Sequence, residues 1–172
     1  MIFWNDHANN YKAASLKGLS AYRFGPPVGA ESLWGNDDRP YVMDIDQGEV
    51  QDCFMLASAA SLSIKPERIK RIFLTKELND EGIVAVRFFV GGRPRVITID
   101  SSVPLKNSDS NLFSQTPSDK SAWIPLLEKA YAKLAGNYEK IELGWMSEAM
   151  RIFTGAPSHR FTIGRLEPDK LW

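Results

Sequence analysis

Cysteine is nearly absent from this chain: Cys53 is the single one among 172 residues. That excludes an internal disulfide framework and fits a reducing compartment. Histidine is almost as scarce, with only His7 and His159, so any chemistry that needs an imidazole has two candidates. Charge of one sign is missing too, since 21 basic side chains face 21 acidic ones, and nothing argues for a nucleic-acid partner or an anionic membrane. The apolar runs fall far short of the roughly 20 residues that span a bilayer. The opening Met1-Ile-Phe-Trp-Asn-Asp-His lacks the basic and long apolar regions of a signal peptide. These absences predict a soluble intracellular protein, cytoplasmic or cytoskeleton-associated, with no membrane span.

What is present is apolar mass. With 44% hydrophobic residues and five tryptophans, the chain can bury one substantial core and reads as a single globular domain. Residues 1–41 scatter aromatics (Phe3, Trp4, Tyr11, Tyr22, Phe24, Trp34) through Gly/Pro/Asn punctuation. A short helical patch around Tyr11–Leu19 is the sole periodicity there. Aromatic content of this kind argues against simple disorder, so 1–41 is expected to be an arm that packs on the core or on a partner, with 42–172 as the main domain.

The regular elements follow. After Cys53, Phe54, Leu56, Ala57, Ala60 and Leu62 lie in small-residue surroundings with no glycine or proline before Pro66, which predicts a buried helix with Cys53 in its first turn. There the unpaired N–H groups and the positive end of the helix dipole favour a thiolate, the nucleophilic form of cysteine. Gln47, in the approaching loop, carries an amide that could direct N–H donors at an oxyanion beside the sulfur. Pro66 to Leu74 reads as a helix with proline at its first position, burying Ile69, Ile72 and Phe73, with Lys70-Arg71 as a solvated face. Ile83–Val90 and Arg95–Asp100 around Gly91-Gly92 predict a β-hairpin, followed by a polar loop through Ser118. From Ala122, the stripe Trp123, Leu126, Leu127, Ala130, Tyr131 and Leu134 has the period of a core-facing helix, capped by Ser121 and ended by Gly136.

The segment Gln47-Gly-x-x-x-Asp52-Cys53-Phe54, running into Leu56-Ala-Ser-x-Ala-Ser-Leu62, resembles the nucleophile segment of the calpain-type cysteine proteases. Two further segments match in order: Trp123-x-x-Leu126-Leu-Glu-Lys-Ala-Tyr-Ala-Lys133 with Gly136 and Tyr138-Glu139, then Ser147-Glu148 leading to Phe153-Thr-Gly155. The resemblance spans about Val42 to Gly155 and covers the first lobe of a calpain protease core. It implies a helix-rich α/β (α+β) fold: a papain-like left lobe with a central cysteine helix, packed helices, a short helix near Ser147–Phe153 and the β-hairpin.

The resemblance also assigns roles. Cys53 takes the place of the nucleophile, Gln47 that of the oxyanion donor, and Gly144 that of a glycine whose backbone lines the substrate cleft. Trp145 stands where the family has a small residue and would occlude that cleft; Gln51 stands where it usually has glycine. The family's histidine and asparagine belong to a second lobe downstream of everything matched, and His159 does not fall where that histidine does. No cofactor is expected. The one trace of the family's calcium site is Asp44, because the glutamate that should join it aligns with Ser121. Three functions follow: first, a non-catalytic structural or interaction subunit whose exposed lobe face is covered by another protein chain; second, half of a cysteine endopeptidase whose histidine and asparagine come from another chain; third, a thiol redox module.

Overall fold

The computed structural model describes residues 21–25, 32–107, 110–111, 114 and 121–161. His7 and the helical patch expected at 11–19 lie outside the described residues.

The elements run β1 (Ala21–Arg23), α1 (Cys53–Ser63), α2 (Pro66–Lys70), β2 (Ile83–Val90), β3 (Arg93–Asp100), β4 (Ser102–Asn107), β5 (Ser110–Asn111), α3 (Trp123–Ala135) and α4 (Met146–Thr154), with 3-10 turns at Val42–Asp44 and Glu139–Ile141. The described residues thus make four helices and two small antiparallel sheets, one ordered β1-β4-β5 and one β2-β3. This is the mixed, helix-rich α/β fold that the resemblance implied.

Local chemistry explains the hairpin. Gly91 and Gly92 both hold positive φ, 58° and 74°, which closes a two-residue turn in the hand that matches strand twist. The second strand therefore resumes at Arg93, two residues before the expected start, with Val90 opposite Arg93 and Ile83 opposite Asp100. Pro94, read as part of the turn, is tolerated within β3, facing Phe89 across the ladder. The other edge of β2 is occupied by the chain leaving α2: Arg87 N–H donates to the Ile72 carbonyl at 2.7 Å and Leu74 N–H to that of Ala85 at 2.8 Å.

Three other expectations are corrected. The helix that was to start at Pro66 and run to Leu74 ends at Lys70, although Ile69, Ile72 and Phe73 are buried as expected. Ser121 does not cap α3; Ala122 occupies the N-cap with no side-chain cap bond, and Ser121 is buried. The stretch after Asp100 is not loop throughout, because β4 pairs with β1, Tyr22 opposite Val103. That partner is far away in sequence, in a segment with no strand period of its own, so local pattern could not reveal it.

The core gathers on α3, which is buried from Trp123 through Ala132. Phe88, Tyr131 and Phe153 meet edge-on or tilted, with ring centroids 5.7 to 6.0 Å apart, joining β2, α3 and α4. Phe24, Leu33 and Trp34 from the first segment belong to the same core. Trp34 Nε1–H donates to the Lys76 carbonyl at 2.8 Å, and Ala122 N–H to that of Ser32 at 3.2 Å.

Candidate active site

Cys53 is the first residue of α1 and is exposed. The reason lies in the helix: Phe54, Met55, Leu56, Ser58, Ala59 and Leu62 are all buried, whereas Cys53 and Ala57, one turn apart, leave a narrow open strip. The common fate of a lone cysteine on an apolar helix is burial; here the thiol stands at the surface instead. The N-cap is Asp52, whose carbonyl accepts the Met55 N–H at 2.8 Å and the Leu56 N–H at 3.2 Å, so the first-turn N–H groups ahead of them have no intrahelical acceptor.

The strip opens into a groove of about 540 Å³ lined by Cys53, Phe54 and Ala57 on α1, by residues 144–147, and by His159 and Arg160. Residues 144–147 are set in place by an unusual backbone. Leu143 holds φ of 59°, a left-handed conformation that costs a bulky residue of order 1–3 kcal/mol, and its N–H donates to the Gln51 carbonyl at 3.0 Å. Gly144 then lies directly against the Phe54 ring: a Cβ there would meet ring atoms at 2.6 to 2.8 Å. Only a residue without a side chain allows this approach.

Two carboxyl groups lie behind the thiol. Asp52 and Glu128 are both buried. Burial pushes the Asp52 carboxyl far above the usual carboxylate range, and the neighbouring Glu128 charge pushes it further. Burial raises Glu128 as well, against the Ser114 N–H that its Oε2 accepts at 2.8 Å. Two like charges in one apolar place cannot both ionise readily. Asp52 Oδ2 is buried with no hydrogen-bond partner, so no donor offsets the cost of ionising it.

The predicted site residues are brought together in part. Cys53 and Gly144 line the same groove; Gln47 is not among its lining residues, and its Nε2–H donates to the Val50 carbonyl at 2.6 Å. Gln51 turns its side chain to solvent. Trp145 is 54% exposed, and the Arg160 guanidinium sits over its ring at 3.9 Å from the centroid, a cation–π contact. Sequence reasoning set His159 aside because it does not fall where the family's histidine does. It is exposed, yet it shares the groove with Cys53. The signal available was that Gly155, at φ 74°, ends α4 in a left-handed cap and turns the chain, but where the turned chain goes was not readable locally.

Asp44 is a buried structural acceptor: its Oδ2 takes the Trp123 Nε1–H at 2.7 Å and the Tyr41 N–H at 2.8 Å. Among the described residues no group of three or more His, Cys, Asp or Glu side chains is placed to hold a metal ion. No described helix is long and apolar enough to cross a membrane.

Known proteins resemble this chain over most of its length. The family model of the calpain family cysteine proteases matches residues 35–172. The calpain-type cysteine protease DEK1 of Zea mays is 37% identical over 112 residues, 65% of this chain and 5% of that protein. Calpain clp-1 of Caenorhabditis elegans is 38% identical over 115 residues, 65% of this chain and 15% of that protein. The calpain-2 catalytic subunit of Gallus gallus is 34% identical over 129 residues, 73% of this chain and 18% of that protein. The chain therefore spans less than a fifth of the length of each of these relatives.

Proposed function

Because the chain belongs to the calpain family of cysteine proteases, we propose that it is the nucleophile-bearing unit of a calpain-type cysteine endopeptidase, with Cys53 as the attacking group and 42–172 as the lobe that holds it. The observation that carries this reading is an exposed thiol at the first residue of a buried eleven-residue helix, opening on a groove. A packing cysteine would be covered; a nucleophile must be reached by a peptide carbonyl.

The chemistry then divides by residue. The Cys53 sulfur bonds to the carbonyl carbon, and the oxyanion that forms takes hydrogen bonds from free N–H groups of the first turn, Cys53 N–H foremost. The Gln47 amide joins them once it leaves the Val50 carbonyl. Gly144, flat against Phe54, leaves its backbone open to a substrate strand. The leaving amine needs a proton, and with it a base that first took one from the thiol. That base and its asparagine partner come from a second lobe closing on the face where Leu143, Trp145, Met146 and Phe161 stand 46–78% exposed.

Iodoacetamide should label Cys53 in the folded protein, and Cys53→Ser should remove the label. Peptide turnover should be absent from these residues alone, appear when a histidine- and asparagine-bearing calpain lobe is supplied, and vanish with Cys53→Ala. Labelling that required unfolding would end the proposal.

A second reading keeps the fold and drops the chemistry: a non-catalytic interaction subunit. Arg160 stacked on Trp145 in the groove and the Gln47 amide engaged by Val50 favour it. It expects a labelled thiol but no turnover with any supplied lobe.

A further inference from the structure

The face opposite in character to the thiol groove is a pocket of about 390 Å³ among α2, β2 and the end of α4, and it shares no lining residue with that groove. Three arginines converge on it: Arg68 and Arg71, three positions apart at the end of α2, and Arg87 from the outer face of β2. Its floor is apolar, with Ile72, Phe89 and Phe153. Three guanidiniums around one pocket repel one another unless acids intervene, and in a chain of zero net charge acids are plentiful. None intervenes. Ion pairs among the described residues join Arg39 to Asp37, Lys70 to Asp38 and Lys129 to Asp100, and none of these engages the three arginines. The Lys70-Arg71 pair, read from sequence as a solvated face, therefore divides: Lys70 has its carboxylate, and Arg71 lends its carbonyl to Arg87 Nη2–H at 3.3 Å.

Arg87 supplies the second observation. Its guanidinium lies 5.9 Å from the Phe89 ring centroid, and its Nε–H is buried with no acceptor. The guanidinium is held on one side by the Arg71 carbonyl, but a buried N–H left without an acceptor is costly, and an anion drawn to this guanidinium would lower that cost. The opposing field is weak by comparison: the C-terminal end of α4 carries roughly half a negative charge, against three full positive ones.

We propose that this pocket binds a phosphate monoester, the phosphoryl group among Arg68, Arg71 and Arg87 and its organic body on Phe89 and Phe153. A dianion with three acceptor oxygens matches three planar forks, whereas a carboxylate engages one fork well. The volume is that of a small-ligand site. The proposal is independent of any role for Cys53.

Titration calorimetry of the 172-residue chain with phenyl phosphate tests it. One saturable site is expected, with affinity falling at least about tenfold in Arg71→Ala and in Arg87→Lys, which keeps the charge and loses the fork. Arg68 and Arg71 are exposed, so their variants fold even if an Arg87 variant does not. A phosphotyrosyl peptide binding more tightly than phenyl phosphate would place the ester on a protein; equal binding would place it on a small molecule. No saturable heat, unchanged affinity in Arg71→Ala, or benzoate binding as well as phenyl phosphate would overturn the proposal.

Discussion

Lys129 shows what a single buried charge does for this molecule. Its side chain is fully buried on α3, where Nζ donates to Asp100 Oδ1 at 3.0 Å, to the Asp100 carbonyl at 3.1 Å and to the Ser102 carbonyl at 2.6 Å. Burial lowers its pKa to about 8 against the opposing pull of Asp100, and Lys129 in turn draws the Asp100 carboxyl below the usual range despite its burial. The last residue of β3 and the first of β4 are thereby tied to α3. Lys129→Ala should cost about 3–5 kcal/mol in urea unfolding, because it takes the counter-charge from a part-buried carboxylate, which keeps only the Ser102 N–H at 2.8 Å among these contacts, and the ammonium donor from two carbonyls. An effect below about 1 kcal/mol would mean that water replaces the ammonium. Asp44 and Glu128 belong to the same class. From the sequence, Asp44 was the one trace of a calcium site and Lys129 only a member of the matched segment from Trp123 to Lys133. Neither residue type nor spacing announces a buried acceptor or donor, because the partners, Trp123, Ser114 and Ser102, come from other elements.

At the scale of elements, the contact between α1 and the loop before α4 decides the shape of the site. Phe54 lies under Gly144 and also edge-on to Tyr131, with ring centroids 6.1 Å apart. Gly144→Ala forces a Cβ into that ring and should destabilise the protein by about 1–3 kcal/mol, the usual cost of overpacking. In a Phe54→Leu background the same substitution should cost measurably less, so a double-mutant cycle reads the coupling directly; equal costs in both backgrounds would show that the ring moves aside freely. The elements themselves were largely legible beforehand. The α1 start at Cys53, the stop of α3 at Gly136 and the hairpin about Gly91-Gly92 follow from helix periodicity, from Gly136 at φ 113° and from paired positive-φ glycines. Strand β4 was not legible, since its pairing energy lies with Ala21–Arg23 rather than with a sequence neighbour.

For the molecule as a whole, the buried carboxyls set the pH response. Asp52 and Glu128 are raised by burial and, for Asp52, by the neighbouring charge. A carboxyl raised in the folded state contributes its full stability below its unfolded pKa and loses it as pH rises through the folded value. The melting temperature should therefore fall as pH goes from about 5 to about 8, a window in which ordinary carboxylates are already ionised. Lys129, lowered to about 8, acts in the opposite sense, and only above that pH. Asp52→Asn should flatten the decline; a profile as steep as the parent's would remove the pair as its cause.

The sequence by itself determined which helices and which hairpin form, that one cysteine stands at a helix start, and to which family the chain is similar. Those properties depend on periodicity, turn chemistry and motif spacing, all local along the chain. Tertiary structure alone decided that Cys53 is open while its neighbours are buried, that His159 and Arg160 return to the thiol groove, that Asp52 and Glu128 meet behind it, and that three arginines line one pocket with no acid among its described residues. Each of these depends on which distant residues share a few ångströms of space, and no local pattern in this chain encodes that.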